Sequence, residues 1–127
     1  QARYSSAVDA MFDRATIRLE SSYSDFSGAS FQDANMATSF TIYTILDRAD
    51  FGDANLNSAS FQRGTSVDAS FTDSLLRSAN FYLGNVGGAT FLRADMTQAQ
   101  MQDTVFDVET VCPDGRTHAQ FPRCGFP

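Results

Sequence analysis

Residues 49–61 read ADFGDANLNSASF, and this stretch contains the pattern that decides the fold. A small residue recurs at every fifth position, a polar residue follows it, and a large apolar residue comes next. The small residues are Ala49, Ala54 and Ala59, and the apolar residues are Phe51, Leu56 and Phe61. A period of five fits neither the 3.6-residue period of a helix nor the two-residue period of a strand. It predicts a chain that turns a corner every five residues.

The same pattern extends in both directions from this stretch. The fifth position is small in seventeen consecutive units, from Ser24 to Thr104. A run of that length would arise by chance about once in ten million sequences of this composition. The position two residues later is apolar in all units except those of Thr41 and Ser66. The repeat therefore organises about two thirds of the chain.

Four five-residue sides make a coil of twenty residues, and a second period of twenty confirms that spacing. Large inward residues then fall into vertical columns. One column is Phe31, Phe51, Phe71 and Phe91, a second is Met36, Leu56, Leu76 and Met96, and a third is Phe61, Phe81 and Met101. Stacked coils lie about 4.8 Å apart, which lets the Phe rings of a column stack. The sequence predicts an all-β solenoid of about four coils, a quadrilateral β-helix.

Units such as Ala49-Asp50-Phe51 and Ala79-Asn80-Phe81 closely resemble those of the pentapeptide-repeat family. The resemblance covers Ser24 to Val108. It implies a right-handed quadrilateral β-helix over residues 24–108.

Both flanks of the repeat are predicted to be caps, because a solenoid otherwise ends in unpaired backbone. For residues 1–23 we expect an α-helical cap, since Ser6 and Asp9 resemble a capping box. The apolar residues of this segment fall on one helical face: Val8, Met11, Phe12, Ala15 and Leu19. Residues 109–127 are expected to form the C-terminal cap.

Cys112 and Cys124 flank a Pro/Gly-rich loop in the C-terminal cap and are the two cysteines of the chain. This placement predicts a disulfide, which would stabilise a loop of this size by roughly 3 kcal/mol. A pair of reduced thiols is the alternative. A zinc site is disfavoured because His118 alone could join the two thiols, whereas structural zinc takes four ligands.

The segment Cys112-Pro113-Asp114-Gly115-Arg116 also resembles the tail of pentapeptide-repeat proteins from the chloroplast thylakoid lumen and their cyanobacterial relatives. That resemblance implies a lumenal, oxidising location, in agreement with the predicted disulfide. The alternatives are a bacterial periplasm and a secreted protein.

Composition and charge limit the kinds of molecule that this protein is expected to bind. Nine Arg, no Lys and fifteen acidic residues leave a net charge of −6, which disfavours binding to nucleic acid or anionic lipid. The sequence contains no apolar run long enough for a membrane span and no signal-peptide pattern. We therefore expect no membrane insertion.

The residues offer little for catalysis. No nucleotide-binding, nucleophile-elbow, EF-hand or zinc-protease motif occurs, and a solid prism provides no obvious pocket. His118, the single histidine, lies in the cap loop, where an exposed turn residue is the simpler interpretation. Asp33, Asp53 and Asp73 fall in one exterior column that ends at Arg93. We interpret the column as a solvated surface ladder rather than a cation site, and we expect no enzyme activity, cofactor, metal or small-molecule substrate.

Outward apolar residues cluster on one side of the predicted prism. Thr41 should point inward, whereas Phe40, Ile42, Tyr43, Tyr82 and Leu83 should point outward. An exposed apolar patch usually marks a contact surface. The competing interpretation, which the length of the flanks favours, is that a cap covers this side or that a bulge turns Phe40 inward.

The sequence therefore predicts a non-enzymatic structural or protein-interaction scaffold. One alternative is a DNA-mimic regulator of gyrase, a role known for some pentapeptide-repeat proteins. Four coils are about 20 Å long, and B-DNA of that length carries about twelve phosphates, which is twice the net charge of this chain. An enzyme of unrecognised class is the other alternative.

Overall fold

The computed structural model describes residues 2–127, and Gln1 lies outside the described part. Four short strands lie on one side of the molecule: β1 (Ala2–Arg3), β2 (Glu20–Ser22), β3 (Phe40–Ile42) and β4 (Ser60–Gln62). They pair in parallel in chain order. Thr41 of β3 pairs with Ser21 of β2 and with Phe61 of β4, a step of twenty residues each time. Each strand thus pairs with the next turn of the same chain, which defines a β-helix.

The other three sides of each coil are joined by single bridges with the same step of twenty residues. Examples are Ile45 with Thr65, Asp50 with Ser70, and Asn55 with Leu75. Backbone hydrogen bonds support each bridge, as between the Phe51 N–H and the Ser70 carbonyl at 2.7 Å. Each coil therefore has four sides, as the five-residue period predicts.

The corners explain why a polar residue follows each small one. The Asp50 carboxylate accepts a hydrogen bond from the Gly52 N–H at 2.9 Å, and the Asn80 side chain accepts one from Tyr82 at 2.8 Å. Asp and Asn side chains close turns in this way, two residues ahead of themselves. The next residue of the corner has a positive φ, as at Asp53 with 57°. The corner chemistry is therefore local and repeats with the sequence.

Stacked rings fill the centre of the coils. The structure buries every residue of the three predicted columns. In the main column the Phe31 and Phe51 centroids are 4.9 Å apart, with the rings nearly parallel. Phe61 approaches Phe71 edge-on at 6.1 Å, so the rings of the two neighbouring columns pack edge to face. The fourth side contributes further buried apolar residues, among them Leu46 and Val86, and the small residues of the repeat fill the positions between the columns.

The helical cap predicted for residues 1–23 is wrong. The described part of that segment contains no α-helix and forms one more coil of the solenoid. Ser6 bridges to Asp25, and the Phe12 N–H bonds to the Ser30 carbonyl at 2.7 Å. The Phe12 ring stacks on Phe31 at 4.9 Å and extends the main Phe column. The solenoid is therefore one coil longer than the predicted four.

A missing residue explains the wrong prediction. Met11 pairs with Ser30, a step of nineteen rather than twenty, so this coil is one residue short at the corner near Arg18. The deletion breaks the five-residue register, and the apolar residues then mimic a helical face. Two of those residues point to solvent instead, since Val8 is 46% and Met11 is 78% exposed.

The C-terminal cap begins later than predicted and contains the predicted disulfide. Val111 still pairs with Thr90, which places buried Cys112 next in the column after Phe91. Cys112 and Cys124 are joined by an S–S bond of 2.08 Å, which rules out the free-thiol and zinc alternatives. A 3₁₀ helix, Pro122–Gly125, follows the loop and is kinked at Arg123 and Cys124, whose φ angles are positive.

Arg123 of this helix closes the last coil. Its guanidinium donates to the carbonyls of Met101 at 2.7 Å and Thr104 at 3.2 Å. The Phe126 side chain packs partly buried against the core. The cap therefore covers the end of the solenoid and leaves the sides uncovered.

Candidate protein-docking face

The side that carries the four strands is the candidate site. We call it the sheet face: the outward residues of β2, β3, β4 and of residues 80–83 in the next coil, with the corner residues that follow each strand. Its central stretch, residues 40–45, reads FTIYTI and consists of aromatic and β-branched residues. Such residues favour extended backbone, which is consistent with full strands on this side and single bridges on the others.

The polarity of β3 is inverted relative to the rest of the repeat. Thr41 points inward and is 1% exposed, whereas Phe40 beside it is 45% exposed. The Thr41 hydroxyl donates to the Ser60 carbonyl at 3.0 Å, and Ser21 and Thr44 hydrogen-bond at 3.1 Å. The buried hydroxyls are thus satisfied, and the apolar side chains of this strand remain outside.

The predicted interaction patch is not covered by either end of the described chain. Tyr43 is 39% and Leu83 is 43% exposed, and Ile42 and Tyr82 are half-buried. The expectation that a cap covers this side or that a bulge turns Phe40 inward is wrong. The C-terminal cap lies on the end of the solenoid, and the N-terminal segment forms a coil.

A column of stacked tyrosines borders the sheet face and was not predicted. The ring centroids of Tyr4 and Tyr23 are 5.3 Å apart, and those of Tyr23 and Tyr43 are 4.9 Å apart. The spacing of twenty residues between Tyr23 and Tyr43 was a usable signal. It was missed because Tyr4 and Tyr23 fell within the predicted helical cap.

Arg63 continues the tyrosine column one coil further. Its Nη1 donates to the Tyr43 hydroxyl at 2.8 Å, and its guanidinium lies 5.8 Å from the Tyr43 ring centroid. The hydrogen bond to Tyr43 raises the pKa of Arg63 above its ordinary value. Arg63 is therefore a fixed positive charge at the edge of the face.

Shallow grooves lie on both sides of these aromatic residues. One of about 470 Å³ runs across β2, β3 and β4 between Arg18 and Ile42, and serines are half of the residues that line it. A second of about 310 Å³ lies between Ile42 and the tyrosine column. A third of about 430 Å³ follows the outer side of that column to Ile45. Apolar side chains and serines together line these grooves, and such a mixture suits contact with another protein.

The sheet face carries little charge. On residues 20–23 and on the same positions of the four following coils, the charged residues are Glu20, Arg63 and Asp103, and Arg3 of β1 lies one coil before them. Glu20 pairs with Arg18 at 3.5 Å, and both side chains are well exposed. All other aspartates of residues 24–108 lie on the remaining three sides. The net charge of −6 is therefore concentrated away from the sheet face.

The predicted acidic column does not form an isolated row of carboxylates. Arg93 binds Asp73 through two hydrogen bonds, of 2.7 and 2.6 Å. These bonds lower the pKa of Asp73 below its ordinary value. Within residues 2–127, no group of three or more His, Cys, Asp or Glu side chains is arranged to bind a metal ion. His118 stacks on Phe106, with ring centroids 5.4 Å apart.

None of the helical turns in residues 2–127 has the length and apolar character that a membrane span requires.

The fold is similar to solved pentapeptide-repeat proteins. One from the cyanobacterium Cyanothece 51142 is 17% identical with a TM-score of 0.71, over 72% of this chain and 63% of that one. Another, from the Arabidopsis thaliana thylakoid lumen, is 22% identical with a TM-score of 0.46, over 82% and 65%. A third, involved in heterocyst differentiation regulation in Nostoc sp. strain PCC 7120, is 16% identical with a TM-score of 0.39, over 91% and 77%.

The chain spans less than two thirds of the first two structures. No protein-family model matches it, and neither does any curated protein sequence. The similarity to the Cyanothece protein supports a right-handed β-helix and carries no information on activity.

Proposed function

We propose that this protein is a non-enzymatic scaffold whose sheet face docks a protein partner. The observation that carries the proposal is the inverted polarity of β3. A shift of one residue in register would bury Phe40 and Ile42 and expose Thr41. The strand instead keeps Thr41 inside, with its hydroxyl bonded, and leaves Phe40 exposed and Ile42 partly exposed. Apolar groups held outside in this way are typical of an interaction surface.

The body behind the face is suited to act as a rigid support. The inward residues of each coil stack on those of the next, and the Phe column continues from Phe12 to Phe91. Backbone hydrogen bonds join the coils on every side. A surface on such a body changes shape little on binding, which reduces the entropic cost of docking.

The proposed location is an oxidising compartment, and we propose the thylakoid lumen from the resemblance of residues 112–116. The Cys112–Cys124 disulfide supports an oxidising location, since disulfides are rare in reducing compartments. Thiol alkylation of non-reduced protein from its native source tests this. We expect no free thiol before reduction and two after it. Two free thiols in the native protein would contradict the location.

The gyrase-mimic alternative rests on the resemblance to the pentapeptide-repeat family and stays a prediction. Arg93 pairs with Asp73, and Arg77 pairs with Asp95 at 2.5 Å, so part of the acidic surface is neutralised locally. We therefore do not adopt this function.

Site-specific photo-crosslinking in the native compartment tests the docking function. A benzophenone side chain replaces Tyr43 on the sheet face or, as the matched control, exposed Asp53 on another side. We expect a defined protein adduct from position 43 and none from position 53. Adding Ile42→Asp to the position-43 chain should abolish the adduct. Equal adducts from both positions, or none from position 43, would contradict the proposal.

A further inference from the structure

We infer that the partner docked by the sheet face is a second copy of this chain, related by a two-fold axis that passes through β3. This inference rests on the proposed docking function and names the partner for it. It follows from the distribution of charge around the apolar centre of the face.

Charge determines where two copies can approach each other. Each chain carries a net charge of −6, most of it on the two sides that include residues 45–48 and 50–53. Two copies that meet through either of those sides bring like charges together, which opposes association. The side that includes residues 75–78 carries only the paired Arg77 and Asp95, and the sheet face is also weakly charged. The sheet face combines this low charge with the outward apolar residues Phe40 and Ile42 of β3.

Glu20 and Arg63 occupy opposite corners of the face, with β3 between them. Glu20 begins β2, one coil before β3, and Arg63 follows β4, one coil after it. Along the strands they are three residues apart, about 10 Å, and across two coils they are again about 10 Å apart. The midpoint of this diagonal lies on β3, between Thr41 and Ile42.

We place a two-fold axis through that midpoint, in the plane of the face and perpendicular to the line from Glu20 to Arg63. Rotation about this axis brings the Glu20 corner of one copy onto the Arg63 corner of the other. Glu20 of each copy then lies opposite Arg63 of the other, so that two ion pairs form by symmetry. Such an axis makes the strands of the two copies cross at about 90°, which is one of the two preferred arrangements for packed sheets. A self-complementary patch of this kind is what a two-fold dimer requires.

The remaining features of the face fit this arrangement. Phe40 and Ile42 flank the axis and would form the apolar centre of the interface, while serine hydroxyls of the neighbouring strands form a polar rim. Arg63 uses one of its five N–H donors on Tyr43. Glu20 forms an exposed ion pair with Arg18 in its own chain. Such a pair contributes little stability, so Glu20 can exchange Arg18 for Arg63 of the second copy.

Sedimentation equilibrium on the purified chain tests the inference. We expect a dimer for the native sequence and a monomer for Ile42→Asp. Glu20→Arg and Arg63→Glu should each weaken the dimer by roughly tenfold, because each change turns both symmetric pairs into like-charge contacts. The double variant Glu20→Arg/Arg63→Glu restores both pairs and should regain the affinity. Asp53→Arg, on another side, is the control and should leave the dimer intact.

Restoration by the double variant is a result that a merely misfolded chain does not give, and circular dichroism of each variant checks the fold. A native chain that stays monomeric, or single and double variants that bind equally, would overturn the inference. A monomeric native chain that still gives the position-43 adduct with a different protein would leave the docking function standing. A monomeric chain with no adduct would contradict both.

Discussion

The sheet face and the acidic side, which carries Asp33, Asp53 and Asp73, are built on the same stacked coils and differ outside. On the acidic side most outward residues are polar, with Met11 of the first coil as an exposed exception, and Asp73 is paired with Arg93. On the sheet face, outward Phe40 and Ile42 are apolar, and the inward residue between them is Thr41. A side of a solenoid that faces only water is expected to carry polar outward residues, and the acidic side largely does. The sheet face carries apolar outward residues instead.

The comparison shows that the five-residue repeat constrains the interior and leaves the exterior free. Inward positions must match the neighbouring coils in size, since the columns are closely stacked. Outward positions are free of this size constraint, apart from the side chains that make the corner hydrogen bonds. Function on such a fold is therefore expected on exterior positions that break the polar pattern.

The largest expected effect is the difference in stability lost when a buried Phe ring and an exposed Phe ring are each removed. Phe71→Ala, in the column behind the acidic side, should lower the free energy of unfolding by about 3–5 kcal/mol because Phe71 is fully buried. Phe40→Ala on the sheet face should lower it by about 1 kcal/mol or less. Urea unfolding of both variants gives the comparison. Equal losses would show that Phe40 is a structural residue and not an exterior one.

Loss of the disulfide should affect the C-terminal end and spare the sheet face. Replacing Cys112 and Cys124 together by Ser should destabilise the chain by roughly 3 kcal/mol. Amide hydrogen exchange should quicken in residues 101–112, because Arg123 and Phe126 would no longer hold the cap in place. Strands β2 to β4 should exchange as before. Uniformly faster exchange along the chain would contradict this.

Substitution of two glycines by alanine tests how closely the backbone is packed on the sheet face and on the acidic side. A Cβ at Gly64, which follows Arg63 at the edge of the sheet face, would lie 2.6 Å from the Thr44 carbonyl oxygen. Gly64→Ala should therefore cost about 1–3 kcal/mol. At Gly52, on the acidic side, the nearest atom is a flexible Asp50 oxygen at 3.2 Å. Gly52→Ala should cost less in thermal unfolding, and the reverse order would contradict the packing described for the corner.

The smallest expected effect is a loss of folding stability at low pH, which should arise from carboxylates on the charged sides. The hydroxyl of Thr97, then the guanidinium of Arg77, lower the pKa of Asp95 from 3.8 to about 2. A carboxylate with a lowered pKa stabilises the folded state above pH 4 and loses that contribution as the pH falls toward 2.

Thermal unfolding of the native chain and of Asp95→Asn between pH 5 and pH 2 measures this contribution. The native chain should be the more stable at pH 5, and the difference should shrink toward pH 2. A difference that stays constant with pH would show that Asp95 acts by packing and not by charge.

Much of the fold was predictable because the repeat encodes it directly. The three core columns follow from a period of twenty, and Cys112 and Cys124 flank a turn that brings them together. The first coil was not predictable by the same rule. A single missing residue near Arg18 shifts the register, and a short segment such as Ala10-Met11-Phe12 fits a helical face as well as a coil.

The candidate site was predictable in part. Outward Phe40, Ile42 and Tyr43 follow from the strict register, since Thr41 occupies the inward position. Their exposure did not follow, because whether a flank covers a side depends on where that flank packs. The tyrosine column was hidden by the same missing residue that hid the first coil, although Tyr23 and Tyr43 are one coil apart.

Hydroxyl-radical footprinting tests most directly whether the sheet face is the bound side and the other sides are free. The modification rate of each exposed residue is compared between the dilute purified chain and the chain in its native compartment. Tyr43 and Leu83 should be protected several-fold in the native setting, whereas exposed Leu75 and Met11, which lie on other sides, should not change. Protection of Leu75 and Met11 with Tyr43 and Leu83 unchanged would contradict the account.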